Sequence, residues 1–209
     1  WFSYGLGSAT DSLPSYLALI DPGQLPVDGI ANWNNGYLPS VFQGTVIRPT
    51  EPRILNLTPP KRLVGKPQQQ LLRYLERLNQ QHLTNKPGER DYQARINMYQ
   101  LAARMQTSAV EAMDLSQETA ATKKHYGMDD PVTNDFGARC LIARRLIERG
   151  VRFVQLYHGC GSKWDAHTNI ETNHTDNCGA SDKPVAGLLK DLKQRGLLDE
   201  TLVIWGGEF

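Results

Sequence analysis

The sequence predicts an α/β fold, a parallel sheet flanked by helices, on three observations. Residues 133–209 run helix, strand, helix, strand, with VRFVQLY (151–157) and TLVIW (201–205) as the apolar strands. Residues 67–127 carry helical periodicity and read as a hairpin inserted into that domain. Residues 1–66 are rich in Pro, Gly and Asn and hold only short apolar runs, so they read as irregular structure with short strands. Together they describe one incomplete α/β domain over residues 1–209. The abrupt starts and stops at Trp1 and Phe209 suggest the interior of a longer protein.

Taken in order, LPSYLALI (13–20) predicts a strand stopped by the turn Asp21-Pro22-Gly23. NWNNG (32–36) predicts another turn, and residues 54–57 a short extended piece. Prolines at 14, 22, 26, 39, 49, 52, 59 and 60 argue against any helix in this region. Pro67 suits the first turn of a helix whose Leu71, Leu75, Leu78 and His82 share one face. Lys86-Pro87-Gly88 breaks it. A second helix over residues 89–113 aligns Tyr92, Ile96, Tyr99, Ala103, Gln106 and Val110, and the pair predicts an antiparallel hairpin. A short helix from Ser116 stops at Gly127, and Asp129-Asp130-Pro131 is a loop.

The next helix starts at a Thr133 or Asn134 cap, turns Phe136, Cys140, Ala143 and Ile147 inward, and ends at Gly150. The charge run Arg144, Arg145, Glu148, Arg149 reads as its exposed face. The later helix, residues 182–195, has Asp182 as N-cap and Pro184 in its first turn. Val185, Leu188, Leu189 and Leu192 form its buried face, and Gly196 ends it.

A net charge of +1 gives no reason to expect nucleic acid or an anionic membrane as partner. No apolar run approaches the roughly 20 residues of a membrane helix. The reactive side chains collect between His158 and Ser181. This connection holds three of the five histidines and two of the three cysteines, and it follows a strand end, where open α/β sheets place their sites.

Within it, Asp165 and His167 are the sharpest signal. In an extended stretch residues i and i+2 point the same way, so one carboxylate and one imidazole can share an ion. An Asp/His pair suits zinc, manganese or iron better than calcium. The plain alternative is a surface loop bonding its own backbone. His158, directly after the strand, is a candidate ligand or substrate-binding imidazole, against a histidine bonding a neighbouring carbonyl. Glu208, after the last strand, is a further candidate ligand or general base, against a solvated carboxylate. Cys160 and Cys178 are open to a disulfide, a metal or free thiols, and with His158 and His174 to a structural zinc knot. His174 itself reads as solvent-exposed. Cys140 reads as a buried apolar residue.

The phrases ARRLIERGVRFVQLYHG (143–159), KWDAHTNIETNH (163–174) and DKPVAGLLKDLKQRGLLDETLVIWGGEF (182–209) resemble the sulfatase-like domain-of-unknown-function family fifteen-oh-one, of the alkaline phosphatase superfamily. WFSYGLGS, LPSYLALIDP, LPVDGIANWNNGYLPSVFQGT and ILNLTPP in the opening segment resemble it too, so the likeness spans nearly the whole chain. It implies a partial sulfatase-like parallel sheet with a divalent metal, zinc, manganese or calcium, as cofactor. The implied substrate is a small-molecule or polysaccharide ester of phosphate or sulfate. Asp165 and His167 match the family's Trp-Asp-x-His motif and are the implied metal ligands, with Glu208 where many relatives carry an Asp-His pair. Phe209 stands in place of that histidine.

The family's early Gly-Gly-Pro-Ser segment, its later Arg-Asp-His segment and a sulfatase nucleophile pattern are not in these residues. The catalytic nucleophile is therefore not assigned, and the fragment alone is expected to be inactive. Family members often begin with an export signal, which implies a periplasmic or secreted location and favours a Cys160–Cys178 disulfide. The competing expectation is a non-catalytic exported surface or carbohydrate-associated protein that keeps the fold.

Overall fold

A three-stranded parallel sheet organises the chain, with strand order β2-β1-β3. The computed structural model describes residues 1–55, 57–85, 90–161 and 163–207, with the backbone but not the side chains of Arg90 and Asp91. Strand β1 (Tyr16–Leu19) is central, flanked by β2 (Thr45–Ile47) and β3 (Phe153–Leu156). Leu17, Ala18 and Leu19 are all buried, as a strand covered on both faces requires. β2 escaped the sequence reading because three residues are too few to show a period. In the segment where prolines argued against helix, a short α1 (Phe2–Leu6) forms ahead of the first proline. Ile54 and Leu55 form a bend and turn rather than an extended piece.

The hairpin of α2 (Lys66–Asn85) and α3 (Arg90–Met113) is antiparallel as expected. Gln68 bonds Gln106, Gln100 bonds Glu76 at 3.1 Å, and His82 meets Tyr92 edge-on. Its expected break at 86–88 lies outside the described residues. The inward stripe of α3 differs from the predicted one. Tyr99 and Val110 are exposed, while Met105, Ala109 and Ala112 meet Leu17, Ile47, Ile142 and Leu146 in the main core. The two alanines let α3 lie close to the sheet layer, a role a search for large apolar residues passes over.

Helix α4 (Ala120–His125) is N-capped by the Thr119 hydroxyl, which accepts from the Thr122 amide at 3.0 Å. Helix α5 (Asn134–Glu148) runs to a stop at Gly150, φ +82°, and leads into β3. Its expected Thr133 cap is differently used, because that hydroxyl donates to the Gly127 carbonyl. A second core of Tyr126, Phe136, Cys140 and Leu141 joins α4 and α5 to α6 (Ile170–Gln194).

Three further expectations are corrected. First, α6 begins at Ile170, twelve residues before the predicted Asp182 cap, and carries Pro184 in its interior. Proline removes one rung of the ladder without ending the helix, whose buried face here is Pro184, Gly187, Asp191 and Leu192, with Leu189 left exposed. Second, Arg144 and Arg145 are buried, because Glu118 and Asp191 from other elements meet them. Third, residues 201–205 are not a strand of the sheet, and Leu202, Ile204 and Trp205 are exposed. A strand needs a facing edge for its amides and carbonyls, and these residues do not return to one.

Candidate functional site at the carboxyl rim of the sheet

Because β1 and β3 pair directly, the segments that leave their carboxyl ends lie side by side. The Tyr157 amide donates to the Leu19 carbonyl at 3.0 Å, which brings Asp21 next to His158 and Gly159. Asp21 accepts from the Gly23 amide and from the Gly159 amide, each at 2.9 Å. Burial alone would raise this carboxyl. The two amides and the charges of Arg139 and Lys163 outweigh burial and hold it below the usual carboxylate range.

Arg139 of α5 locks the two segments from beneath. Its guanidinium is 3.6 Å from Asp21, donates to Asp135 at 2.7 Å, and bonds the carbonyls of Tyr157 and Ile20. It also lies 5.1 Å from the centre of the Phe136 ring. Buried arginine is tolerated here because carboxylates and carbonyls meet its donors on several sides.

The loop above is anchored rather than free. Gly159 and Gly161 take φ +72° and +69°, conformations open to glycine. The Trp164 indole donates to the His158 carbonyl at 2.9 Å, and Gln24 donates to the Cys160 carbonyl at 2.7 Å. From α6, Asn173 and Asn177 each donate to the Lys163 carbonyl at 3.0 Å, and His174 bonds the Trp164 carbonyl at 3.1 Å. His174 is therefore half-buried in the loop's scaffold, not the solvent-exposed residue its polar neighbours suggested.

His158 stacks on Phe136, with ring centres 4.4 Å apart, and meets Trp164 edge-on. Both of its ring nitrogens are buried without a hydrogen-bond partner among the described residues. Burial, then the charge of Lys163, lowers its pKa; Arg139 adds to this, while the Asn177 backbone and Asp21 pull the other way. The imidazole therefore sits under the rim rather than open on it.

Asp165 and His167 stand on the outer side of the same loop, both exposed, with His167 Nε2 3.1 Å from Asp165 Oδ2. At that distance the two side chains are in direct hydrogen-bond contact, the imidazole beside the carboxylate. Among the described residues no group of three or more His, Cys, Asp or Glu side chains is gathered to hold an ion. Glu208, the third expected ligand, lies outside the described residues. Cys160 and Cys178 are free thiols, the first half-buried after β3 and the second exposed on α6. Burial and then Asp21 raise the Cys160 thiol's pKa.

Sequence reasoning singled out His158, Asp165 and His167 but passed over Asp21 and Arg139. The missed signal was position. Asp21 follows a predicted strand as directly as His158 does, yet its Pro-Gly neighbours read only as a turn.

No curated protein and no solved structure matches this chain. The model of a family described as a protein of unknown function, DUF1501, matches residues 1–209. With the whole length covered, the chain belongs to the DUF1501 family.

Proposed function

We propose that this chain supplies the carboxyl-rim part of a metal-dependent hydrolase of phosphate or sulfate esters, on a sulfatase-like scaffold of the alkaline phosphatase superfamily that works outside the cytoplasm. The observation that carries this reading is the Asp165–His167 pair: exposed, 3.1 Å apart, and borne on a loop leaving the carboxyl end of a parallel strand. Asp165 and His167 would hold the ion, and Glu208 is the third candidate. A divalent ion bound there supplies positive charge against a transferring phosphoryl or sulfuryl group.

The chain's own contribution is to hold the pair in place. Asp21 fixes Gly159, Arg139 fixes the strand ends, and Trp164 and His174 tie the loop to itself and to α6. The loop that bears the pair is thereby tied to β1, α5 and α6.

Calorimetric titration of the protein with zinc and with manganese tests the assignment. Asp165→Ala and His167→Ala are each expected to weaken binding by more than the roughly 10-fold typical of losing an outer-shell partner. Aryl phosphate and aryl sulfate hydrolysis by the full-length protein is expected to fall in parallel. Binding equal to that of the unaltered protein in both variants overturns the reading.

A further inference from the structure

Helix α2 is the outer layer of the hairpin. Its partner α3 gives Met105, Ala109 and Ala112 to the core and meets α2 through Gln100 and Gln106. None of the twenty residues of α2 is buried. Leu71, Tyr74, Leu75 and Leu78 recur at i, i+3, i+4 and i+7, which gathers them on one face of the helix. They are 40%, 54%, 43% and 42% exposed. Large apolar side chains left in water along about two turns of one helix mark a docking face.

The charges beside that face narrow its partner. Lys66, Arg73 and Arg77, spaced by seven and then four residues, share a second face of α2, and Lys61 and Arg62 precede the helix. All five are exposed, and none pairs with a carboxylate among the described residues. Residues 61–85 contain one acid, Glu76, and its carboxylate accepts from Gln100 of α3 at 3.1 Å. The net charge of +1 over the whole chain conceals this concentration, because acids elsewhere offset it.

A second copy of the chain is a poor occupant. Two turns of leucine fall short of the three or four heptads that sustain a coiled-coil seam, and a symmetric pair would set two groups of unpaired cations side by side. A nucleic acid would engage the cations and leave the leucines and Tyr74 in water. An anionic bilayer surface serves both faces: the leucines enter the acyl boundary, the Tyr74 ring takes the headgroup level, and the cations meet lipid phosphates. No described helix is long and apolar enough to cross a membrane, so α2 would lie along the surface.

We propose that α2 docks this protein on an anionic phospholipid surface, through Leu71, Tyr74, Leu75 and Leu78 and the cations beside them. This surface is separate from the metal pair and does not rest on it.

Flotation of the intact protein with lipid vesicles, with chelator present, tests this. Vesicles of equal phosphatidylcholine and phosphatidylglycerol are expected to carry the protein up the gradient, and vesicles of phosphatidylcholine alone to carry far less. Arg73→Gln together with Arg77→Gln is expected to weaken partitioning about 30-fold, since each cation beside such a surface contributes about 1 kcal/mol. Leu71→Gln together with Leu78→Gln is expected to weaken it as well. The two arginines are exposed and unpaired, so their replacement spares the fold, which an unchanged melting temperature verifies. Asp165→Ala is expected to float as the unaltered protein does, so failure of the metal assignment is read separately. Flotation with neither vesicle, equal flotation with both, or undiminished flotation of either double variant overturns the proposal. A dimer in sedimentation equilibrium that the leucine variant dissociates overturns it too, and gives the face to a second copy.

Discussion

His158 lies between the Phe136 and Trp164 rings with neither nitrogen bonded among the described residues, and its folded-state pKa is depressed below 6.5. The unfolded chain therefore binds more protons than the folded one just below that value, and stability falls as pH drops from about 6.5. Asp21, Glu118 and Asp191 are also depressed, but their stabilisation is complete above the ordinary carboxylate range and is lost only at lower pH. The two windows are separate. His158→Phe, which keeps the stack on Phe136, is expected to flatten the decline in urea midpoint between about pH 6.5 and pH 5 while leaving the loss below about pH 4. Parallel profiles for the two proteins would rule this out. At this scale the sequence revealed what is local. The Asp165–His167 convergence needs only a two-residue spacing, whereas the Asp21–Gly159 bond spans 138 positions and has no local trace.

Helix α5 carries the strongest element-scale commitment. Arg144 meets Glu118 at 2.8 Å, Glu148 at 2.6 Å and Asp191 at 3.0 Å, and Arg145 reaches the Ala112 and Glu111 carbonyls. Tyr126 donates to Asp191 at 2.8 Å, and Arg195 closes the network on Asp191 and Glu148. Removing one member leaves buried carboxylates unmatched, so Arg144→Ala is expected to cost about 3–5 kcal/mol in urea denaturation. A loss within the range of a surface pair, about 1 kcal/mol or less, would contradict the network.

The same helix approaches α4 through Gly137, where an added Cβ would meet the Tyr126 carbonyl oxygen at 2.2 Å. Gly137→Ala is accordingly expected to cost about 1–3 kcal/mol or more by the same assay, and an unchanged midpoint would argue against so close a crossing. Periodicity made the existence and length of α5 legible. It did not show which face takes the arginines, because their partners sit on α4's approach and on α6. The early start of α6 was hidden in the same way: IETNHTDNCGAS lacks an apolar stripe, and what holds it are amide and imidazole bonds to the 163–164 backbone.

For the whole molecule, the predicted α/β class and parallel strands agree with the structure, while the sheet's membership differs. The strand pair expected from neighbouring sequence, 151–157 with 201–205, is replaced by β3 on β1, drawn from the proline-rich opening segment. Strand β1 is bonded on both edges and buried, whereas residues 202–205 donate no backbone hydrogen bond among the described residues. Hydrogen–deuterium exchange is expected to find the β1 amides among the slowest and those of 202–205 exchanging at once. Protection at 202–205 equal to that of β1 would show that these residues take a strand's place.

The pairing of β1 with β3 brings Tyr16 and Gln155 together from 139 positions apart. A ribosome adding about 5–20 residues each second releases the first of these strands many seconds before the second exists. Throughout that interval β2 can cover one edge of β1, while the edge destined for β3 stays open, an adhesive stretch awaiting its mate. Slowing translation across 150–156 would lengthen that wait, and the yield of soluble protein from the cell should drop with it.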